Sequence, residues 1–392
     1  MKVALYFQVH QPYRLKKYNV FEIGNNPFYF DNKKNQEIMN KVANNCYLPT
    51  NKILLDLLNR YKDFKINFSI SGVALDQFQE FSPEVLESFK ALSKTKKVEF
   101  LAETYYHSLS SIFSDKEFSE QVLLHKQKIL ELFDQESISF RNTELIYNDD
   151  IAKKAASLGF KTILTEGSDR ILKGNSPNYV YKSSEGQNLL LKNFILSDDI
   201  AFRFKDTSWI GYPLTGEKFS SWIKESPGDV INLFMDFETF GEHHDESIIH
   251  FLKDFIESSI KKGIKFINIK DVDSLEKKQT LQIKDHISWA DKERDLSAWI
   301  GSKIQKSAAN AYFNLEQSLK QIKNEDLLKI WRHLGTSDHF YYMSTKGLED
   351  GSVHKAFSPY ESPYDAFINY SNVLKDLKLR IEQKIETKEV QL

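Results

Sequence analysis

The sequence predicts an α/β protein: about seven parallel βα units rolled into a barrel, followed by a helical C-terminal region. Short apolar runs alternate with longer helical patterns from residue 3 to about residue 269. The pattern changes near residue 275, and from Leu296 onward it holds helical periodicity and loops but no run suited to a buried strand. No stretch rich in Gly, Pro or Ser separates the two parts, so 1–275 and 276–392 are expected as a barrel and a helical domain sharing a large fixed interface.

Val3 to Val9 reads as the first buried strand, interrupted only by Gln8. Asn51 to Tyr61 repeats Ile53, Leu54, Leu57 and Leu58 at helical spacing, and Ile66 to Ile70 is strand-like. Pro83 to Ser93 is helix-like, with Ser82 as the expected cap and Pro83 at the first helical position. Val98 to Ala102 is the next strand, and Lys116 to Phe133 a long amphipathic helix. Phe140–Arg141 closes a strand, Asp150 to Leu158 is a helix stopped by Gly159, and Thr162 to Leu164 is a strand after it. Val230 to Met235 is strongly apolar. Glu246 to Lys262 is a helix stopped by Gly263, and Phe266 to Ile269 is a final strand. Beyond the change in pattern, Leu327 to Leu334 and Tyr364 to Lys384 read as helices.

Composition narrows the function. Of 392 residues, 41% are hydrophobic and 28% charged, which excludes a disordered, collagenous or coiled-coil chain. A net charge of −2 lacks the basic excess of a nucleic-acid binder. The single cysteine, Cys46, excludes an internal disulfide and a cysteine-based zinc site. No run of about 18 uncharged apolar residues exists, and the N-terminal run is followed by no cleavage signal. A cytoplasmic location without membrane partners is therefore expected. Aromatic residues, at 13%, suit a sugar-binding cleft. No phosphate loop, dinucleotide fingerprint or nucleophile elbow occurs among only 15 glycines.

In parallel βα architectures the site lies where the strands end. His10-Gln11-Pro12 follows the first run and Glu103-Thr104-Tyr105-Tyr106-His107 the third; Arg141-Asn142-Thr143-Glu144 follows Phe140, Glu166 follows Leu164, and Asp236 to His244 follows Met235. Glu144 and Asp236 stand at the ends of apolar runs rather than in charged stretches. Two carboxyls facing a sugar can cleave a glycosidic bond, one as nucleophile and one as proton donor. A rival reading makes His10, His107, His243 and His244, with Asp236, ligands of a divalent metal, although no helical histidine pair of metal-binding spacing is present.

These segments also carry a resemblance. His10-Gln11-Pro12, Glu99 to His107, Phe140 to Glu144, Met235 to His243 and Leu334-Gly335-Thr336-Ser337-Asp338-His339 stand in the order of the five sequence regions of glycoside hydrolase family 57. The chain is similar to the α-amylase-type branch of that family from residue 3 to about 375. Phe237 stands where a tyrosine is common, which removes a hydroxyl. His107 stands where the glucanotransferase branch tends to have glutamate, which favours the amylase-type branch.

The resemblance implies an incomplete (β/α)7 barrel with a C-terminal helical domain. It also implies retaining action on α-1,4-glucans or maltooligosaccharides, with no cofactor and no metal in the chemistry. By position, Glu144 is then the nucleophile and Asp236 the general acid/base, the two carboxyls roughly 5–5.5 Å apart. His10 and His107 would line the donor sugar subsite, with Gln11 and Glu103 among the substrate-binding residues, and Asp338 would come from the helical domain to close the cleft. Glu238, Glu242 and His243 are expected to orient Asp236; Trp289, Trp299 and Tyr341 are candidates for stacking on sugar faces. A 4-α-glucanotransferase would use the same pair, a metal-dependent carbohydrate deacetylase the histidines instead, and a non-catalytic glucan-binding protein neither.

Overall fold

The computed structural model describes residues 1–390; the side chains of residues 348, 349 and 387–390, and the last two residues of the expected 276–392 segment, lie outside the description. The fold is α/β with mixed sheets. One sheet runs β3 (Val98–Phe100), β2 (Ile66–Ile70), β1 (Lys2–Val9) and β8 (Val230–Asp236), with β9 (Lys265–Phe266) also against β1; every pairing is parallel. The other runs β10 (Lys277–Thr280), β6 (Val180–Lys182), β7 (Asn188–Lys192), β5 (Thr162–Glu166) and β4 (Ser139–Arg141), parallel except for the β6–β7 hairpin. Among the described residues, backbone hydrogen bonds join the sheets at two places. Ala102 bridges β4 through Ala102 N to Ser139 O and Arg141 N to Ala102 O, at 3.0 and 2.9 Å, and Asn193 N donates to Asn232 O at 2.8 Å.

Register sorts the central strands into two buried faces, as parallel sheets require. In β1, Val3, Leu5, Phe7 and Val9 enter the core under the helices, with Phe68 and Ile70 of β2 and Leu233 and Met235 of β8. Ala4 and Tyr6 face the other way, into a smaller cluster with Leu164, Leu190 and Phe234. Polar residues share this inward face, because Gln8 pairs with Ser69 on one side and Asp236 on the other, and Ala4 with Asn232.

The expected strands and helices up to residue 269 are present, with differences that have local causes. Pro83 does open the helix Pro83–Lys94, but Ser82 makes no capping hydrogen bond, since its hydroxyl donates to Asn40 Oδ1 at 3.0 Å. The strand expected over Phe266 to Ile269 stops at Phe266. A capping box in which Asn268 and Asp271 bond each other's backbone turns the chain into the 3-10 segment Ile269–Ser274 instead. Beyond residue 275, β10 adds a strand whose Lys-Lys-Gln-Thr sequence is mostly exposed and leaves no apolar signature. The β6–β7 hairpin and the helices Asn32–Val42, Gly72–Phe81 and Gly216–Glu225 also lie outside the elements read from the sequence.

The chain divides by contact into two units that are not sequential. One contains Met1–Gln11, Gln36–Tyr105 and Ser119–Trp289, and therefore the strands β1 to β10; the other contains Pro12–Asn35, Tyr106–Phe118 and Ala290–Leu392. The second unit holds the helices Lys303–Phe313, Glu325–Leu334 and Pro363–Val390, around buried Tyr312, Trp331 and Tyr370. Among the described residues no helix is long and apolar enough to cross a membrane.

Candidate active site

The site of the strand-bearing unit grows from the polar inward face. Asp236 ends β8 beside Gln8, and the Gln8 amide is fixed at both ends: its oxygen accepts from Tyr6 OH at 2.8 Å and its nitrogen donates to Glu103 Oε1 at 2.9 Å. Ser69 donates to the same oxygen at 2.7 Å, so Glu103 is fully buried and held by two neutral donors. Below it, His125 Nδ1 accepts from Glu103 N and Nε2 donates to Ile70 O at 2.7 Å, which fixes the neutral tautomer. Burial accordingly pushes its pKa down. Tyr6, without exposure, feels Arg141, Glu103 and Asp236 at once, and burial raises its hydroxyl pKa.

Glu238 sits just past Asp236 in a 3-10 turn, buried. Its Oε1 accepts from Tyr47 OH and from His10 N, the latter at 3.3 Å. Burial, and then the charge of Asp236, pushes its pKa up to about 8, so the carboxyl holds its proton at neutral pH. Tyr47 reaches it from a single π-helical turn, Ala43–Tyr47, set between two helices; the same turn aims Cys46 Sγ at Phe237 O, 3.1 Å away. The Gln11 side chain bonds the Tyr47 oxygen, and Gln77 donates to Gln11 O at 2.7 Å. His10 Nδ1 lies 2.7 Å from Ser71 Oγ, which caps the helix Gly72–Phe81. His10, Gln11, Glu103, Asp236 and Glu238 therefore form one connected group.

Glu144 stands in a second group. It follows β4 in the turn Thr143–Leu145, and both Glu144 and Leu145 take left-handed backbone angles, with φ of 58° and 51°. The segment before Trp289 runs antiparallel to the chain after Glu144, held by Tyr147–Ile287 bonds of 2.9 Å in both directions and by Trp289 N to Glu144 O at 3.2 Å. This brings the indole Nε1 to 2.6 Å from Glu144 Oε2. The Arg141 guanidinium lies 4.7 Å from the centroid of the same indole and Lys192 Nζ 5.4 Å from it. Lys192 also bonds Asp198 at 3.0 Å and pairs with Glu166 at 3.9 Å. Trp289, expected to stack on sugar, thus has its N–H on a catalytic candidate and its ring against two cations.

Glu242 accepts from Lys41 Nζ at 2.6 Å, and exposed His243 donates its backbone N–H to Glu238 O at 2.9 Å. In the second unit, Ser337 N donates to His107 O at 2.9 Å, which joins the chain around buried His107 to the turn before half-buried Asp338. Trp299 is 1% exposed, so its indole offers no free face for a sugar. Tyr341 stacks on His354 at 3.9 Å. The histidines raised as metal ligands do not gather: His10 bonds Ser71, and His244 Nε2 bonds Ala201 O at 2.8 Å. Among the described residues the one grouping of metal-ligand type is Asp291, Glu293 and Asp350, where Lys346 already bonds Asp291 and Glu293 at 2.7 and 2.6 Å.

Sequence reasoning did not single out Gln8, Tyr47, Arg141 or Lys192. Gln8 and Arg141 carried a signal, each being a polar residue within or at the end of a buried strand; Tyr47 carried none, because it arrives from a distant turn.

The sequence profile described as Glycosyl hydrolase family 57 matches residues 4–284. A curated protein of Methanocaldococcus jannaschii, named "Putative alpha-amylase", is 44% identical over 99% of this chain and 86% of its own length. The chain belongs to glycosyl hydrolase family 57 and is a glycoside hydrolase. Among solved structures, a family 57 branching enzyme from Pyrococcus horikoshii superposes with a TM-score of 0.68 at 14% identity, over 90% of this chain and 87% of that one. A 4-alpha-glucanotransferase from Thermococcus litoralis gives 0.61 at 15% identity, over 87% of this chain and 54% of that one, so the present chain spans about half its length. At these identities the two likenesses show the fold alone.

Proposed function

We propose that the protein is a retaining glycoside hydrolase of α-amylase type that acts on α-1,4-glucans by double displacement, with Glu144 as nucleophile and Asp236 as general acid/base. The carrying observation is that Asp236 ends β8 and Glu144 stands in the turn after β4, each against a group that is itself fixed: Gln8 beside Asp236, and the Trp289 N–H on Glu144. Glu144 attacks the anomeric carbon while the bond to the leaving oxygen breaks and that oxygen takes the proton of Asp236. Water, losing a proton to Asp236, then opens the glycosyl ester and returns the α product. His10, Gln11 and Glu103 bind the donor sugar, while Glu238, Glu242 and His243 hold the turn that carries Asp236. The strands close as an incomplete (β/α)7 barrel, a reading supported by the Ala102–β4 bridge and the Asn193–Asn232 hydrogen bond.

Incubation with maltooligosaccharides, with and without EDTA, tests the reading. Shorter products alone, unaffected by EDTA, support it. Longer products as well move the assignment to glucan transfer by the same pair. Loss of activity with EDTA would overturn it in favour of a metal-dependent reaction.

A further inference from the structure

Arg141 is a charged group at a strand end that the proposed chemistry leaves unused. It ends β4, pairs in register with Leu164, and so shares the inward face with Leu164 and Leu190. It has no exposure, and none of its three guanidinium nitrogens makes a hydrogen bond among the described residues. A buried cation without hydrogen bonds is costly unless opposite charges lie around it. Because the nitrogens are wholly enclosed, no ligand reaches them without displacing protein, and whatever Arg141 does it does through its field and its contact with Trp289.

We propose that Arg141 is a positioning residue for Glu144: its guanidinium, laid against the Trp289 indole, strengthens the indole N–H as a donor and supplies the positive potential that keeps Glu144 a carboxylate. The proposal rests on Glu144 being the nucleophile, which must be ionised to attack. Tyr6 of β1 feels Arg141 together with Glu103 and Asp236, so acidic groups share this inward face with the guanidinium. Two cations lie against the Trp289 ring, Arg141 and Lys192, and Lys192 is already bonded to Asp198 and paired with Glu166. Arg141 keeps its charge unshared, 4.7 Å from the ring whose N–H is 2.6 Å from Glu144. A cation over an indole face polarises the ring and makes the N–H more positive. Glu238 shows the alternative: buried beside Asp236 with no cation bonded to it, it is pushed up to about 8 and holds its proton.

The test is the pH dependence of kcat/KM for R141K, R141M and W289F, with near-UV circular dichroism to establish that each variant is folded. The acidic limb of R141M is expected to move up by about one pH unit, that of R141K by less, with KM within about twofold of the parent. W289F is expected to move the limb in the same direction, and R141M added to W289F to move it no further. An unmoved limb with a raised KM overturns the proposal and makes the pair a sugar-binding element. If R141M does not fold, R141K and W289F decide by the same criterion. Azide with E144A separates the underlying assignment. Formation of a β-glycosyl azide from an activated α-glycoside establishes Glu144 as nucleophile, so that an unmoved limb then rejects only the role of Arg141. Absence of that azide rejects the nucleophile assignment and this proposal with it.

Discussion

Glu144 and Glu238 are two half-buried or buried glutamates given opposite environments. Glu144 accepts the N–H of an indole whose ring lies against two cations, whereas Glu238 accepts from a tyrosine and a backbone N–H and feels the charge of Asp236. On the proposed mechanism, E144Q keeps the shape of the side chain but removes the nucleophile. Its turnover of maltooligosaccharides is expected to fall by at least about three orders of magnitude, while oligosaccharide binding by calorimetry persists. For Glu238 the prediction concerns stability. Its folded pKa of about 8 lies above its unfolded value, so the native state holds a proton that the unfolded chain has lost between those two values. Its contribution is therefore fully present in acid and is lost as pH rises toward 8. E238Q retains the acceptor oxygen and cannot ionise, so it is expected to melt higher than the parent at pH 8, with the gain shrinking to nothing near pH 4. A constant difference at both pH values would refute this.

At the scale of elements, the site depends on two unusual turns. The π-helical turn Ala43–Tyr47 sends Tyr47 to Glu238, and the loop after Glu238 passes so close that the carbonyl of Asn45 lies 2.0 Å from where a Cβ on Gly241 would stand. Gly241 also has φ of 106°, which a larger residue rarely adopts. Gly241→Ala is therefore expected to cost about 2–4 kcal/mol in chemical denaturation, combining the clash with the backbone penalty. Activity should fall as well, because Tyr47 and Glu238 sit on the two segments forced apart. The turn at Glu144 is the counterpart, with two successive left-handed residues that are not glycine. Its strain is held by the antiparallel pairing of residues 144–149 with 283–289, which also delivers Trp289.

Across the strand-bearing unit as a whole, the two sheets meet through very few bonds, and Asn232 makes one of them twice over. Its backbone oxygen accepts from Asn193 N, and its fully buried side chain donates to Leu191 O at 2.9 Å. Asn232→Ala leaves that carbonyl without its partner and is expected to cost about 1–3 kcal/mol, with faster hydrogen exchange confined to β7 and β8. Uniformly faster exchange throughout the unit would contradict a local role. The sequence by itself determined the fold class, because the central parallel strands are buried on both faces and so show as short apolar runs, as in Val3 to Val9 and Val230 to Met235. It also singled out Glu144, Asp236 and His10, since each directly follows or closes such a run. Only the tertiary structure decided that β10 exists, because a strand paired at an exposed edge buries nothing that its composition must advertise. Likewise only the fold brought Tyr47 to Glu238, Gln8 to Glu103 and Arg141 to the Trp289 ring, and set the Trp289 N–H on Glu144. Those contacts join residues far apart in the chain, and their formation depends on register and turn geometry that no local pattern encodes.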